Sequence, residues 1–310
     1  MIIDVHNHFV QRNFISEDWW TGWVKRRIAR DAPTLPPPDL EKLKKEFVTP
    51  VHDATGERVV SGLEAAGIDM GVLLPLDFGM LIRDPETSIV EQNRRNAELA
   101  RKYPHRLIAF VGLDPNRGQS ALDLFETGVK EWGMRGLKLH PCAGFYVNDK
   151  CVYPFYELAQ DLNVTVLTHL GTEFPPIRAK YGQPVFLDDV GCDFPRLRII
   201  GAHVGSPWDT EAIKIASIHD NIYLDIAGRH FMLFANAGDF YRNLRMLLDI
   251  LPYKLVFGTD YEFGPRERLK EYVDAVREAP RRGREHGVNF TEEEIDLLLS
   301  GNAKRALGMD

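Results

Sequence analysis

Eight short apolar runs, interleaved after the first segment with loops and amphipathic stretches, limit what this chain can fold into more than any other feature. The runs are Ile2–Val5, Met70–Pro75, Leu107–Leu113, Gly136–Leu139, Val164–Thr168, Leu197–Ala202, Ile222–Ile226 and Leu255–Gly258. They are rich in Val, Ile and Leu and nearly continuous, as expected of parallel strands covered on both faces. The stretches Val59–Ala66, Pro85–Tyr103, Ser120–Trp132, Tyr153–Leu162, Trp208–His219, Phe240–Leu251 and Pro265–Glu278 carry apolar residues at three- and four-residue spacing, which predicts helices. Ser206-Pro207-Trp208-Asp209 reads as a capped helix start. Thr291-Glu-Glu-Glu opens a last helix that Gly308 closes.

Eight strands alternating with helices predict an α/β fold, a (β/α)8 TIM barrel with a C-terminal helix. An open doubly wound sheet would show a Gly-rich turn after its first strand, where this chain has His6-Asn7-His8-Phe9. At 310 residues, one barrel domain over residues 1–310 accounts for the chain. One segment breaks the rhythm. Residues 9–57 form an excursion holding Trp19-Trp20-Thr-Gly-Trp23, Lys25-Arg26-Arg27 and Pro36-Pro37-Pro38. So long an insertion is usually functional or disordered, and its tryptophans argue against disorder. It is expected to cap the barrel mouth.

Charge and composition narrow the partners. Lys+Arg 38 against Asp+Glu 45 leaves a net charge of −7, which disfavours nucleic acid and anionic membranes. Apolar runs such as Met70–Leu76 are too short to span a bilayer. Three cysteines, Cys142, Cys151 and Cys192, make neither a disulfide framework nor a zinc-finger pattern. With the first strand expected at Met1 or Ile2 and no signal peptide ahead of it, the expected compartment is the cytoplasm.

In a barrel, side chains at the carboxyl ends of the strands converge on one mouth. Those ends read His6-Asn7-His8, Lys138-Leu139-His140, Thr168-His169-Leu170-Gly171, Ala202-His203-Val204-Gly205, Asp225-Ile226-Ala227-Gly228-Arg229 and Gly258-Thr259-Asp260-Tyr261. Five of the ten histidines fall there. His6 and His8 are two apart in a strand and share a face, the spacing with which one strand offers two nitrogens to one metal. Nitrogen ligands with one carboxylate and an open position suit catalytic Zn, and also Mn, Fe or Co. Asp260 could instead cap a following helix. Arg229 has the planar fork for a substrate carboxylate, with a structural salt bridge as the alternative. Arg26, Arg27 and Arg30 are weaker candidates, because a charge run is usually a solvated face. Trp19, Trp20, Trp23 and Trp208 either line an aromatic pocket or pack cap against barrel. Cys142 has no dedicated base and reads as a wall residue.

As an ordered set, these motifs resemble the amidohydrolase superfamily, in particular the amidohydrolase-2 group related to aminocarboxymuconate semialdehyde decarboxylase. The matching residues are Asp4-Val-His6-Asn-His8, Gly136-Leu-Lys138-Leu-His140-Pro141, Thr168-His169-Leu-Gly171, His203-Val-Gly-Ser-Pro-Trp208, Phe257-Gly-Thr-Asp260-Tyr261 and Gly301-Asn302-Ala303. The resemblance implies a distorted barrel holding one divalent metal, with His6, His8, His169 and Asp260 as ligands. It implies His203 as general acid/base, with Asp260 sharing proton transfer. Lys138 would be carboxylated in two-metal relatives, with His203 on a second ion; the mononuclear group disfavours that, which leaves Lys138 paired with a carboxylate or holding substrate. Substrate contacts are expected at Arg229, His140, Lys138, Trp208 and Trp20. The implied reaction is hydrolysis of a small, carboxylate-bearing cyclic or aromatic substrate by a metal-activated water. Non-oxidative decarboxylation is the alternative, and a non-catalytic metal-binding barrel a third reading. A small molecule is the expected partner, with a homodimer or higher homo-oligomer as the assembly.

Overall fold

Parallel pairing runs through every strand contact of the computed structural model, which describes residues 1–31, 39–260 and 266–309. Pro36-Pro37-Pro38, Tyr261, the helix start expected at Pro265 and the side chain of Arg30 lie outside the described residues. The strands are β1 (Ile3–Asn7), β2 (Met70–Leu73), β3 (Leu107–Ala109), β4 (Val111–Gly112), β5 (Gly136–Leu139), β6 (Thr165–Thr168), β7 (Ile199–Gly201), β8 (Ile222–Asp225) and β9 (Leu255–Val256). They pair in chain order, β1 to β3 and β4 to β9. β3 and β4 are two halves of the run expected as one strand. Between them the Phe110 N–H donates to the Leu73 carbonyl at 3.0 Å, so the wall continues through the break. At the other seam the Val5 N–H donates to the Phe257 carbonyl at 3.0 Å. The sheet therefore closes on itself, and the expected (β/α)8 barrel results, with no open edge between β9 and β1.

The interior is apolar where it should be. Ile3, Val5, Val72, Phe110, Leu167, Ile200 and Val256 form one buried cluster with Ala303, Ala306 and Leu307 of the C-terminal helix. Thr165 fixes that helix by donating from Oγ1 to the Ala306 carbonyl at 2.7 Å. The larger second cluster lies between strands and outer helices and includes Leu137, Leu139, Val166 and Leu224.

β1 carries one irregularity that matters for the site. Asp4 pairs with Gly71 and Asn7 with Leu73, three residues in β1 against two in β2. The extra residue is a bulge. It changes the phase of the alternation, so Ile3 and Val5 face the interior cluster while His6 and His8 also face inward, at the mouth.

Helix ends follow local chemistry. Ser88 accepts from the Glu91 N–H, and Asn236 from the Gly238 and Asp239 N–H groups. Thr291 and Glu294 make the reciprocal capping box, and Gly308 ends the chain's last helix at φ 61°. One expectation is corrected. Ser206 caps nothing: the helix is Asp209–Ile218, its N-cap is Trp208, and no side chain caps it. The turn Ala202–Gly205 displaces the start, with the Trp208 N–H donating to the Gly205 carbonyl at 2.8 Å. The insertion contains helices Glu17–Asp31 and Leu40–Val48. Among the described residues no helix is long and apolar enough to cross a membrane.

Candidate metal and acid–base centre

The bulged end of β1 places two imidazoles side by side, their ring centroids 5.2 Å apart. His6 Nδ1 lies 2.9 Å from Asp225 Oδ2 and His8 Nδ1 lies 2.6 Å from the Leu74 carbonyl. A carbonyl only accepts, so His8 carries its proton on Nδ1, and the Asp225 carboxylate sets the same tautomer in His6. Both Nε2 atoms then present lone pairs. What they face is the Asp260 carboxylate, Oδ1 lying 3.2 Å from His8 Nε2 and 4.0 Å from His6 Nε2. Two acceptor nitrogens thus face one carboxylate oxygen, an arrangement that a cation resolves. Burial, reinforced by the Lys138 charge, holds His6 well below the ordinary imidazole value and therefore neutral. Burial acts to raise the Asp260 carboxyl, yet the histidines around it, His8 first, outweigh burial and hold the group below the ordinary carboxylate range.

Asp225, visible in the sequence only as a strand-end residue, organises the centre. It is fully buried at the end of β8. Its Oδ1 accepts from the His203 N–H at 2.8 Å and the Ala227 N–H at 3.0 Å, while Oδ2 holds His6. Those bonds support an unusual backbone: His203 sits at φ 60° and Val204 at φ 49°, left-handed values costly for residues with a side chain. Asp260 joins them at φ 51°, held by its N–H donating to the His6 carbonyl at 2.9 Å. Asp4, also buried, ties β1 to the neighbouring segment after β9 through Thr259, whose N–H and Oγ1 donate to it at 2.9 and 2.6 Å. Burial pushes its carboxyl up to about 7 against those bonds.

His203 Nδ1 lies 3.2 Å from the Ala227 carbonyl, which leaves Nε2 as the free nitrogen. Its ring is 4.9 Å from that of His6 and 4.8 Å from that of His169. The ligating atoms fall into two groups, each within 4.8 Å: His6, His203 and Asp260 in one, His140, His169 and Glu173 in the other. His169, expected beside His6 and His8, is stacked on His140 at 4.4 Å, and its Nε2 lies 3.8 Å from Glu173. That nitrogen has no hydrogen-bond partner, and neither has Lys138 Nζ. Burial lowers Lys138 to about 8 against the nearby Asp225, Asp260 and Glu173 carboxylates.

The five histidines, Lys138, Glu173 and Asp260 open into one cavity of about 260 Å³. Arg229 lines it while one of its nitrogens pairs with Asp209 at 2.5 Å, so the structural salt bridge forms with the arginine still on the cavity wall. Trp19 and Trp23 line the cavity, whereas Trp20 and Trp208 do not. Trp20 points elsewhere, donating from Nε1 to the Arg12 carbonyl, and Trp208 is the N-cap residue described above. The substrate-contact expectation for those two residues is corrected accordingly. Cys142 is buried, does not line the cavity, and has its thiol pushed up by burial. Glu173, Phe78, Phe174 and Arg26 line it as well. The acid follows His169 by four residues in a loop whose course the sequence does not reveal.

The sequence model of the amidohydrolase-2 family, described as amidohydrolase, matches residues 3–309. The chain belongs to the amidohydrolase-2 family. This amidohydrolase is 21% identical to 2-keto-4-carboxy-3-hexenedioate hydratase of a Sphingobium strain, over 98% of this chain and 95% of that protein. It resembles the crystal structure of 2,6-dihydroxybenzoate decarboxylase from Rhizobium at a TM-score of 0.68 and 17% identity, over 100% of this chain and 99% of that one. It also resembles 5-carboxyvanillate decarboxylase from Novosphingobium aromaticivorans, solved with manganese and 4-hydroxy-3-methoxy-5-nitrobenzoic acid, at a TM-score of 0.64 and 14% identity, over 99% and 96% of the two chains.

Proposed function

We propose that this amidohydrolase is a divalent-metal-dependent hydrolase of a small, planar, carboxylate-bearing cyclic or aromatic substrate. The observation that carries the reading is the convergence of His6 Nε2, His8 Nε2 and Asp260 Oδ1, with both Nδ1 atoms committed elsewhere. These three residues would hold the ion. His169, with its unpartnered buried Nε2, completes the set, and Zn is the first choice among Zn, Mn, Fe and Co. When bound, such an ion lowers the pKa of water to about 7 and polarises a substrate oxygen.

The chain's own groups do the rest. His203 keeps Nε2 free because Nδ1 is engaged with Ala227, so it takes a proton from water and returns it to the leaving group. Asp225 holds His203 in place through its backbone N–H. Arg229 orients a substrate carboxylate, its fork steadied by Asp209. His140 and Lys138 complete the polar wall. Residues 9–57 serve as a cap on the single barrel domain, and Trp19 and Trp23 supply part of its aromatic lining. The protein works in the cytoplasm as a homodimer or higher homo-oligomer.

Decarboxylation is the second reading, favoured by the aromatic walls Trp19, Trp23, Phe78 and Phe174, which suit a flat ring. In that reaction the bond from ring carbon to carboxylate breaks, carbon dioxide leaves, and His203 protonates the carbon. A non-catalytic barrel would not need a strained backbone around a free imidazole. The test is a panel of lactones, amides, conjugated keto acids and hydroxylated aryl carboxylates, recording acid release, carbon dioxide and loss of ultraviolet absorbance. Acid release without carbon dioxide supports hydrolysis, carbon dioxide release supports the second reading, and metal-independent turnover contradicts both.

A further inference from the structure

The cap helix Glu17–Asp31 puts Trp19, Trp23 and Arg26 on the cavity wall. Their positions are i, i+4 and i+7, one face of a helix. The two indoles are buried and stacked, with centroids 6.2 Å apart and planes within 12°. Trp19 also stacks on Phe78 at 5.4 Å. The wall is thus flat, apolar and rigid. Arg26 ends it with a charge. Its guanidinium lies 5.7 Å from the centre of the Phe174 ring and makes no ion pair among the described residues. The other cavity cations differ. Arg229 is partly neutralised by Asp209, and Lys138 lies among carboxylates. Arg26 is therefore the exposed, uncompensated cation of the cavity.

We infer that the substrate is a dianion, a planar dicarboxylic acid, and that Arg26 is the residue that selects for its second carboxylate. One acidic group lies toward the strand-end centre and Arg229. The unsaturated stem lies against Trp19 and Trp23. The distal carboxylate meets Arg26, whose fork is steadied by the Phe174 face. A cavity of about 260 Å³ is below the usual size of drug-binding pockets, which suits a single ring or a short conjugated diacid. The inference rests on the proposed function above, since it assumes that a carboxylate-bearing substrate enters this cavity.

The test is calorimetric binding to the metal-loaded protein, using isophthalate and its near-isostere 3-carbamoylbenzoate, which has the same shape and one charge fewer. Wild type should bind isophthalate about tenfold more tightly, the order a charge-assisted hydrogen bond supplies. R26Q should bring that ratio close to one through loss of isophthalate affinity, with metal content and melting temperature unchanged. R26K should retain part of the preference. A wild-type ratio near one, or a tenfold ratio that survives in R26Q, overturns the dicarboxylate inference while leaving the carboxylate reading standing. Failure of both acids to bind overturns the two together.

Discussion

Replacing Asp225 by Asn tests how the metal ligands are prepared. The carboxylate accepts three hydrogen bonds, two backbone N–H groups on Oδ1 and His6 Nδ1 on Oδ2. An amide has one acceptor and one donor end. If its oxygen faces His6, its NH2 faces the His203 and Ala227 N–H groups, and two buried donors lose their acceptor at about 1–3 kcal/mol each. If its oxygen faces the backbone, the NH2 meets His6 Nδ1, which must then accept. The second arrangement is cheaper, and it moves the His6 proton to Nε2, the nitrogen needed for the metal. Changes in groups behind metal-binding histidines typically cost about 10- to 100-fold in affinity, or about 1.4–2.7 kcal/mol. D225N should therefore fold, melt close to wild type and bind Zn²⁺ or Mn²⁺ about 10- to 100-fold more weakly, measured by competition with a chromophoric chelator. Metal affinity within twofold of wild type would refute the tautomer argument.

H203N should lower turnover by about 10²- to 10⁴-fold with metal retained, whereas H169N should lose metal; metal loss in H203N as complete as in H169N would make His203 a ligand, as its grouping with His6 and Asp260 permits. G112A should lower the unfolding free energy from urea titration by about 1–3 kcal/mol, because an added Cβ would lie 2.1 Å from the Pro75 carbonyl oxygen. The Glu294 carboxyl is lowered from its ordinary 4.5 to about 2, chiefly by the Arg245 hydrogen bond. A lowered folded-state value stabilises above the unfolded value and is lost as pH falls through the folded one. E294Q should then melt lower than wild type at pH 7, by at most about 1 kcal/mol for so accessible a pair, with the gap closing between pH 4.5 and 2 in calorimetric scans.

The barrel was legible because its strands are continuous apolar runs and its chemistry lies at their ends. His6, His8 and Asp260 could be placed together on that ground alone. The bulge in β1 could not be read, since Ile3, Val5, His6 and His8 all face inward only after an extra residue shifts the phase. Asp225 was visible as a strand-end residue, but its task is set by two backbone N–H groups and a ring from three separate segments. In the cap, the aromatic run gave no sign of which tryptophans face the cavity. Once the segment is known to be helical, the spacing of Trp19, Trp23 and Arg26 separates them from Trp20. Ser206 had the composition of a helix cap, and the turn at His203 overrode it.

Metal dependence of turnover tests the central claim most directly. The protein would be stripped with a chelator, shown by elemental analysis to be metal-free, and assayed with the first substrate found in the panel before and after titration with Zn²⁺ or Mn²⁺. The expected result is loss of activity on stripping and recovery that saturates at one ion per chain, with no recovery in H6N. Full turnover by the metal-free chain would contradict the account, and saturation at two ions would contradict its single-metal form.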